Sequence, residues 1–167
     1  MKNKILIAIS GSPGVGKSTL AKYLVKKLGF DRLDLHHYYK RISTGYNHSK
    51  QSYDINYKKF EKLVKEKLHQ SKKGLIIDSH ISHLLPAKLV DVCIVLTCAD
   101  LKKLEKRLQQ RRYSKKKIRE NLDAEIFQIC LMEAKEKGHK VLVFDTATKL
   151  DLKGMVNAIA EGLGISD

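Results

Sequence analysis

The chain has 167 residues, 43% of them apolar, and a formal net charge of +15. That length suits one domain with a real core, and no run approaches the roughly 18 apolar residues of a membrane span, so no membrane partner is expected. The positive charge is concentrated: residues 36–73 carry a net +7 and residues 101–120 a net +8, which leaves the remaining chain neutral and points to a polyanionic partner.

The first stretch sets the chemistry. Ile5 to Ile9 has the length and branching of a buried parallel strand. It stops at Gly11, and Gly11-Ser-Pro-Gly14-Val-Gly16-Lys17-Ser18 fits G-x-x-x-x-G-K-[ST] at every fixed position. Leu20, Leu24 and Leu28 then recur on one helical face. Strand, glycine-rich loop and helix are the context a phosphate-binding loop requires. The loop's backbone N–H groups and the helix N-terminus would meet phosphate oxygens. Lys17 would reach the outer phosphates, and the Ser18 hydroxyl would ligate magnesium. Because a strand opens the chain, no cleavable leader is expected there; the cytoplasm follows, or also the nucleus in a eukaryote.

Phe30 to Leu35 reads as a short second strand. Residues 36–53 are polar and aromatic and read as a loop or short helices. Asp54 could cap a helix over 55–70 that turns Ile55, Phe60, Leu63, Val64 and Leu68 to the core. Leu75-Ile-Ile-Asp78 is a buried strand ending in a carboxylate, 81–90 a connector with one helical turn, and Val92 to Leu96 the next strand. Asp100 looks like the N-cap of a helix carrying Leu101, Leu104 and Leu108. Arg111-Arg-Tyr-Ser114 interrupts the apolar period, and one helix over 115–137 should follow, with Ile118, Leu122, Ile126, Ile129 and Cys130 inward. Gly138 ends it, Val141 to Phe144 is the last strand, and Asp151 could start a final helix with Leu152, Met155, Val156, Ile159 and Leu163 inward. The three cysteines, Cys93, Cys98 and Cys130, match no zinc or redox spacing and read as reduced core or near-core thiols. Alternating strands and helices predict an α/β three-layer domain around a mainly parallel five-stranded sheet, with ligands at the carboxyl ends of the strands.

Asp78 is the natural partner of the phosphate loop, since an acid at the end of a neighbouring strand completes a magnesium site directly or through water. Strand periodicity puts His80 on the same side if the strand continues. There its imidazole could orient or deprotonate an attacking water or hydroxyl; alternatively, Asp78 caps the next turn and His80 sits in a polar loop.

The layout is that of small P-loop kinases such as nucleoside monophosphate, shikimate and gluconate kinases, and one group fits better. Gly11-Ser-Pro-Gly-Val-Gly-Lys-Ser-Thr19, Asp78-Ser-His80, Arg111-Arg-Tyr-Ser-Lys-Lys-Lys117 and Asn121-Leu-Asp-Ala-Glu-Ile-Phe-Gln128 resemble the ribosome-assembly adenylate kinases, the archaeal and eukaryotic group known as adenylate kinase isoenzyme six. The resemblance covers nearly the whole chain. It implies one P-loop kinase domain over 1–167, with a monophosphate-binding region at 34–53 and a lid at 110–120. It implies an ATP site of Gly14, Gly16, Lys17, Ser18, Thr19 and Arg111, catalytic roles for Lys17, Asp78, His80 and Arg111, and magnesium on Ser18 and Asp78. The adenine would lie against the loop from Asp145 to Lys149.

The resemblance further implies adenylate kinase and ATPase activity, with ATP and AMP as substrates. It also implies a part in small-subunit maturation, with ribosomal protein uS11 and rRNA as partners. The monophosphate region departs from the group's acidic pattern: Leu35-His36-His37 stands where relatives have a Gly-Asp-Leu type stretch, so only spacing supports Lys40 or Arg41 as phosphate contacts. Two nucleotides need fewer cations than the basic segments supply. The surplus at Lys102, Lys103, Lys106, Arg112, Lys115, Lys116, Lys117 and Arg119 is therefore expected to face rRNA. Two other readings stand beside this one: an ATP-driven assembly switch with incidental kinase turnover, and a small-metabolite or nucleoside kinase.

Overall fold

The computed structural model describes residues 4–148 and 150–165. Its centre is β1 (Ile5–Ser10), buried along both faces as the apolar run requires. It pairs in parallel with β5 (Gly74–Asp78) on one side and β6 (Val92–Thr97) on the other. β2 (Asp31–Asp34) extends the sheet beyond β5, and β7 (Val141–Asp145) beyond β6, so the order is β2-β5-β1-β6-β7, parallel throughout. The expected five-stranded α/β fold is present.

Helices cover both faces. α1 (Lys17–Leu28) and α7 (Leu152–Leu163) pack with α4 (Leu101–Gln110) against Ile7, Ile9, Ile76, Ile94 and Leu96. On the other face, α3 (Tyr57–Gln70) and α6 (Ile129–Glu136) cover Leu6, Ala8, Ile77, Cys93 and Val95. Two predicted caps hold: Asp100 accepts from the Lys103 N–H and Asp151 from the Gly154 N–H. Cys93 and Cys98 are buried, Cys130 is half-buried, and all three are free thiols. No helix among the described residues is long and apolar enough to cross a membrane.

The structure corrects the sequence reading in three places. Residues 36–53 contain the short helices expected, a 3-10 turn (Leu35–His37) and α2 (Tyr39–Ile42), but these lead into an unexpected antiparallel hairpin, β3 (Ser43–Asn47) and β4 (Ser52–Ile55). Asp54 and Ile55 therefore belong to β4, and the cap of α3 is Asn56, whose side chain accepts from the Lys59 N–H. The single helix expected over 115–137 is two, α5 (Lys115–Ile126) and α6, broken where Gln128 turns left-handed at φ 49°. Ile118 is buried as expected, but Ile126, in the last turn of α5, is 50% exposed, and Ile129, just past the break, is 37% exposed.

Gly74, at the start of β5, shows how closely the sheet is packed. A Cβ there would lie 2.6 Å from the Ile5 carbonyl oxygen and 2.9 Å from the Phe30 ring. Gly74→Ala is expected to cost about 1 to 3 kcal/mol through overpacking. Urea unfolding measures it, and an unchanged midpoint would mean that the strand yields freely at this position.

Candidate active site

The loop between β1 and α1 is built on backbone that side chains rarely adopt. Gly11 has φ 146°, and a Cβ on it would sit 2.5 Å from the Leu96 carbonyl oxygen of the neighbouring strand. Gly16 caps α1 in the left-handed region at φ 94°. Three side chains brace the loop. Lys17 folds back so that its ammonium donates to the Gly11 and Ser12 carbonyls, both at 2.8 Å. Arg107 of α4 donates to the Gly14 carbonyl at 3.0 Å. Glu125 of α5, buried, accepts from the Ser12 hydroxyl and from the Cys98 N–H, each at 2.8 Å. Glu125, which opens the Glu-Ile-Phe-Gln stretch, thus braces the phosphate loop.

A cavity of about 770 Å³ opens in front of the loop. Gly14, Gly16, Lys17, Ser18, Thr19, Asp78, His80 and Arg111 all line it, so the sequence-predicted ATP and catalytic residues converge on one space. Burial pulls the Lys17 ammonium down to about 8, and the nearby Arg111 charge adds to the fall. His80 is exposed to the cavity, and the protein packed around it, with the Lys17 charge adding, holds its imidazole below the usual value.

The hairpin forms the opposite wall. Tyr39 and Tyr53 stack with centroids 5.9 Å apart, and Tyr46 meets Tyr53 edge-on at 5.1 Å. Lys50 and Gln51 reach the cavity from the hairpin turn. Lys117 closes the roof, donating to the Gln51 carbonyl at 2.9 Å while lying 4.1 Å over the Tyr113 ring. Lys117 therefore serves the cavity rather than an outer surface, and Lys103 is drawn to the Ala147 carbonyl at 2.7 Å. Lys40 and Arg41 are not among the residues lining the cavity: both are exposed, and Arg41 pairs with Glu66 at 2.8 Å. The adenine loop is described only in part, since Lys149 lies outside the described residues.

Two oxygen donors here suit magnesium. The Ser18 hydroxyl lies 3.3 Å from Asp78 Oδ2, giving the hard oxygen ligands that a cation sharing phosphates and waters needs. Another group already sits there. Arg32 of β2 grips both Asp78 oxygens, Nε to Oδ1 at 2.7 Å and Nη2 to Oδ2 at 2.9 Å.

Sequence reasoning missed Arg32, Arg107, Lys50 and the tyrosine wall. Only the aromatic richness of 36–53 hinted at the wall. The two arginines carry no motif, because each acts through an element paired or packed far from it in sequence.

Comparison with known proteins finds relatives along most of the chain. Residues 7–128 match a family model described as an AAA domain. A Methanocaldococcus jannaschii protein named "Putative adenylate kinase" is 38% identical, over 94% of this chain and 85% of its own. The "Adenylate kinase isoenzyme 6 homolog" of Schizosaccharomyces pombe is 38% identical over 78% of this chain and 74% of its own. Among solved structures, shikimate kinase from Acinetobacter baumannii superposes with a TM-score of 0.61 at 12% identity, covering 96% of this chain and 93% of that one, a likeness of fold.

The depressed Lys17 has a measurable consequence. Its proton leaves as pH rises through about 8, against a usual value of 10.5, and phosphate bound beside it restores the charged form. ATP binding above about pH 8 should therefore take up a proton, and affinity should fall as pH rises further. Calorimetry in buffers of differing ionisation enthalpy reads the uptake; no uptake above about pH 8 would mean that Lys17 does not meet the phosphates.

Proposed function

The chain belongs to the adenylate kinase family whose members include isoenzyme 6, and from that premise we propose that it transfers a phosphoryl group from ATP to AMP and hydrolyses ATP more slowly. The observation that carries this reading is the convergence of Lys17, Ser18, Asp78, His80 and Arg111 on one cavity with an aromatic opposite wall. The loop N–H groups and the end of α1 bind the donor's phosphates, and Lys17 exchanges its two carbonyl partners for phosphate oxygens. Arg111, close enough to depress Lys17, adds charge over the transferring group. When bound at Ser18 and Asp78, magnesium would offset the charge developing on the phosphates. The tyrosine wall offers the acceptor's base flat faces to stack on. His80, kept neutral, accepts a hydrogen bond from an attacking water. AMP, whose phosphate is already anionic, has no need of that help.

The same reading includes assistance to small ribosomal subunit maturation, with uS11 and rRNA as partners, in the cytoplasm or also the nucleus of a eukaryote. Its support is the resemblance together with Lys102, Lys106, Arg112, Lys115 and Lys116, all exposed around α4 and the start of α5. An ATP-driven assembly switch with incidental kinase turnover is the second reading that this basic face favours. Replacing Lys106, Lys115 and Lys116 by Gln should flatten the salt dependence of RNA binding without changing ATP affinity. An unchanged salt slope would remove these lysines from the RNA contact.

Incubating the protein with magnesium and ATP, with and without each monophosphate, tests the activity. Two ADP formed per AMP consumed is the expected result, with slower release of phosphate from ATP alone. Lys17→Ala should reduce both reactions about a hundredfold or more. His80→Ala should lower hydrolysis more than transfer to AMP, and equal losses would leave His80 a structural support of the strand end.

A further inference from the structure

Arg32 lies in the sheet between two carboxylates. Its side chain is 19% exposed and that of Asp78 only 5%. The register of β2 against β5 pairs Asp34 with Asp78, and Arg32 with Ile76. Side chains two apart on a strand share a face, so Arg32, Asp34 and Asp78 line one side of the strand ends. Toward Asp78 the guanidinium makes a bidentate fork at 2.7 and 2.9 Å, and its Nη2 also lies 3.4 Å from the Ser18 hydroxyl. Toward Asp34 it makes only a loose pair, Nη1 to Oδ2 at 3.8 Å. The two protein groups best suited to hold magnesium are thus held together by a fixed cation from the protein itself.

We propose that Arg32 is a positioning residue that stands in for magnesium in the nucleotide-free protein, holding Asp78 against Ser18, and that it transfers to Asp34 when magnesium and ATP arrive. The inference rests on the reading of Ser18 and Asp78 as the magnesium site. Electrostatics requires some such device. A buried carboxylate beside a phosphate site would repel ATP if left bare, and it would be costly to desolvate without a partner. Arg32 neutralises it until a stronger cation replaces the fork. Asp34 then receives the displaced guanidinium about a side-chain rotation away, so no buried charge is left alone. Asp34 is itself held by His36, whose backbone N–H and ring Nδ1 lie 3.1 and 2.9 Å from its Oδ1. The movement would therefore couple the metal corner to the start of the monophosphate region.

The test compares ATP dissociation constants by calorimetry in EDTA and in saturating magnesium, without acceptor, for wild type, Arg32→Met and Asp34→Asn. The readout is their ratio, the gain in ATP affinity that magnesium supplies. In Arg32→Met the bare Asp78 weakens metal-free ATP binding and the unopposed site takes magnesium more readily. The ratio should rise about tenfold, the scale of a charge-assisted pair. In Asp34→Asn the displaced guanidinium loses its second partner, so the ratio should fall several-fold. Asparagine keeps an oxygen for the His36 N–H, so this variant should fold even if Arg32→Met does not. Arg32→Lys, which keeps the charge but not the fork, should lie between wild type and Arg32→Met. If magnesium strengthens ATP binding in wild type but neither Arg32→Met nor Asp34→Asn alters the ratio, Arg32 is structural and the inference falls alone. If ATP affinity falls equally with and without magnesium in Arg32→Met, Arg32 contacts phosphate instead, and the inference also fails. If wild type gains nothing from magnesium, the metal reading of Ser18 and Asp78 fails and takes the inference with it.

Discussion

The turn from β1 into α1 has to aim several backbone N–H groups at one point, and a chain left to itself does not hold that shape. The loop reverses through left-handed glycine conformations that cost conformational entropy to fix. Its first glycine lies so close to the Leu96 carbonyl that no side chain fits between. The surrounding structure supplies the rigidity. Strands β5 and β6 clamp β1 on both sides, Arg107 holds the Gly14 carbonyl, and the buried Glu125 ties Ser12 to the end of β6. Each brace comes from a different element, so the sheet and the helices above it must be packed before the phosphate site exists. Electrostatic preorganisation of this kind removes the reorganisation cost from the moment of reaction.

The rest of the cavity is hung from less rigid parts. The β3–β4 hairpin pairs with no strand of the central sheet, and its tip meets the first turn of α5 through the Lys117–Gln51 contact. Such a roof, made of one long cation and one exposed carbonyl, suits a site that must open for exchange and close to exclude water. Aromatic rings (Tyr39, Tyr46, Tyr53) and cations (Lys17, Lys50, Arg111, Lys117) both line the cavity. The same cavity therefore presents two chemistries, one for a base and one for a polyanion. The basic charge concentrated in two segments divides likewise: Lys50, Arg111 and Lys117 turn to the cavity, whereas Lys106, Lys115 and Lys116 face solvent.

What the sequence determined by itself was whatever depends on local pattern. Apolar runs marked four strands of the sheet, β2 being a short candidate after Gly29, and the Asp100 and Asp151 caps were readable because a cap acts on a donor three residues away. The phosphate loop was readable because its whole function is carried by eight consecutive residues. The place of Asp78 and His80 at the cavity was readable because Asp78 ends the strand beside that loop and His80 follows it. Local pattern misled where two outcomes share one period. Residues 115–137 have continuous helical spacing, yet the helix breaks at Gln128, and Ile126 and Ile129, expected inward, are 50% and 37% exposed. The hairpin over 43–55 was missed because its strands are short, polar and half-exposed, with no buried face to impose alternation. Only the tertiary structure decided which charges meet. Arg32 is 46 residues from Asp78, Arg107 is 93 from Gly14, and Glu125 is 113 from Ser12. None of these pairs has a spacing rule, because each partner is selected by the order of strands in the sheet and the packing of helices on it. Electrostatic energy depends on distance in space, and the sequence records only distance along the chain.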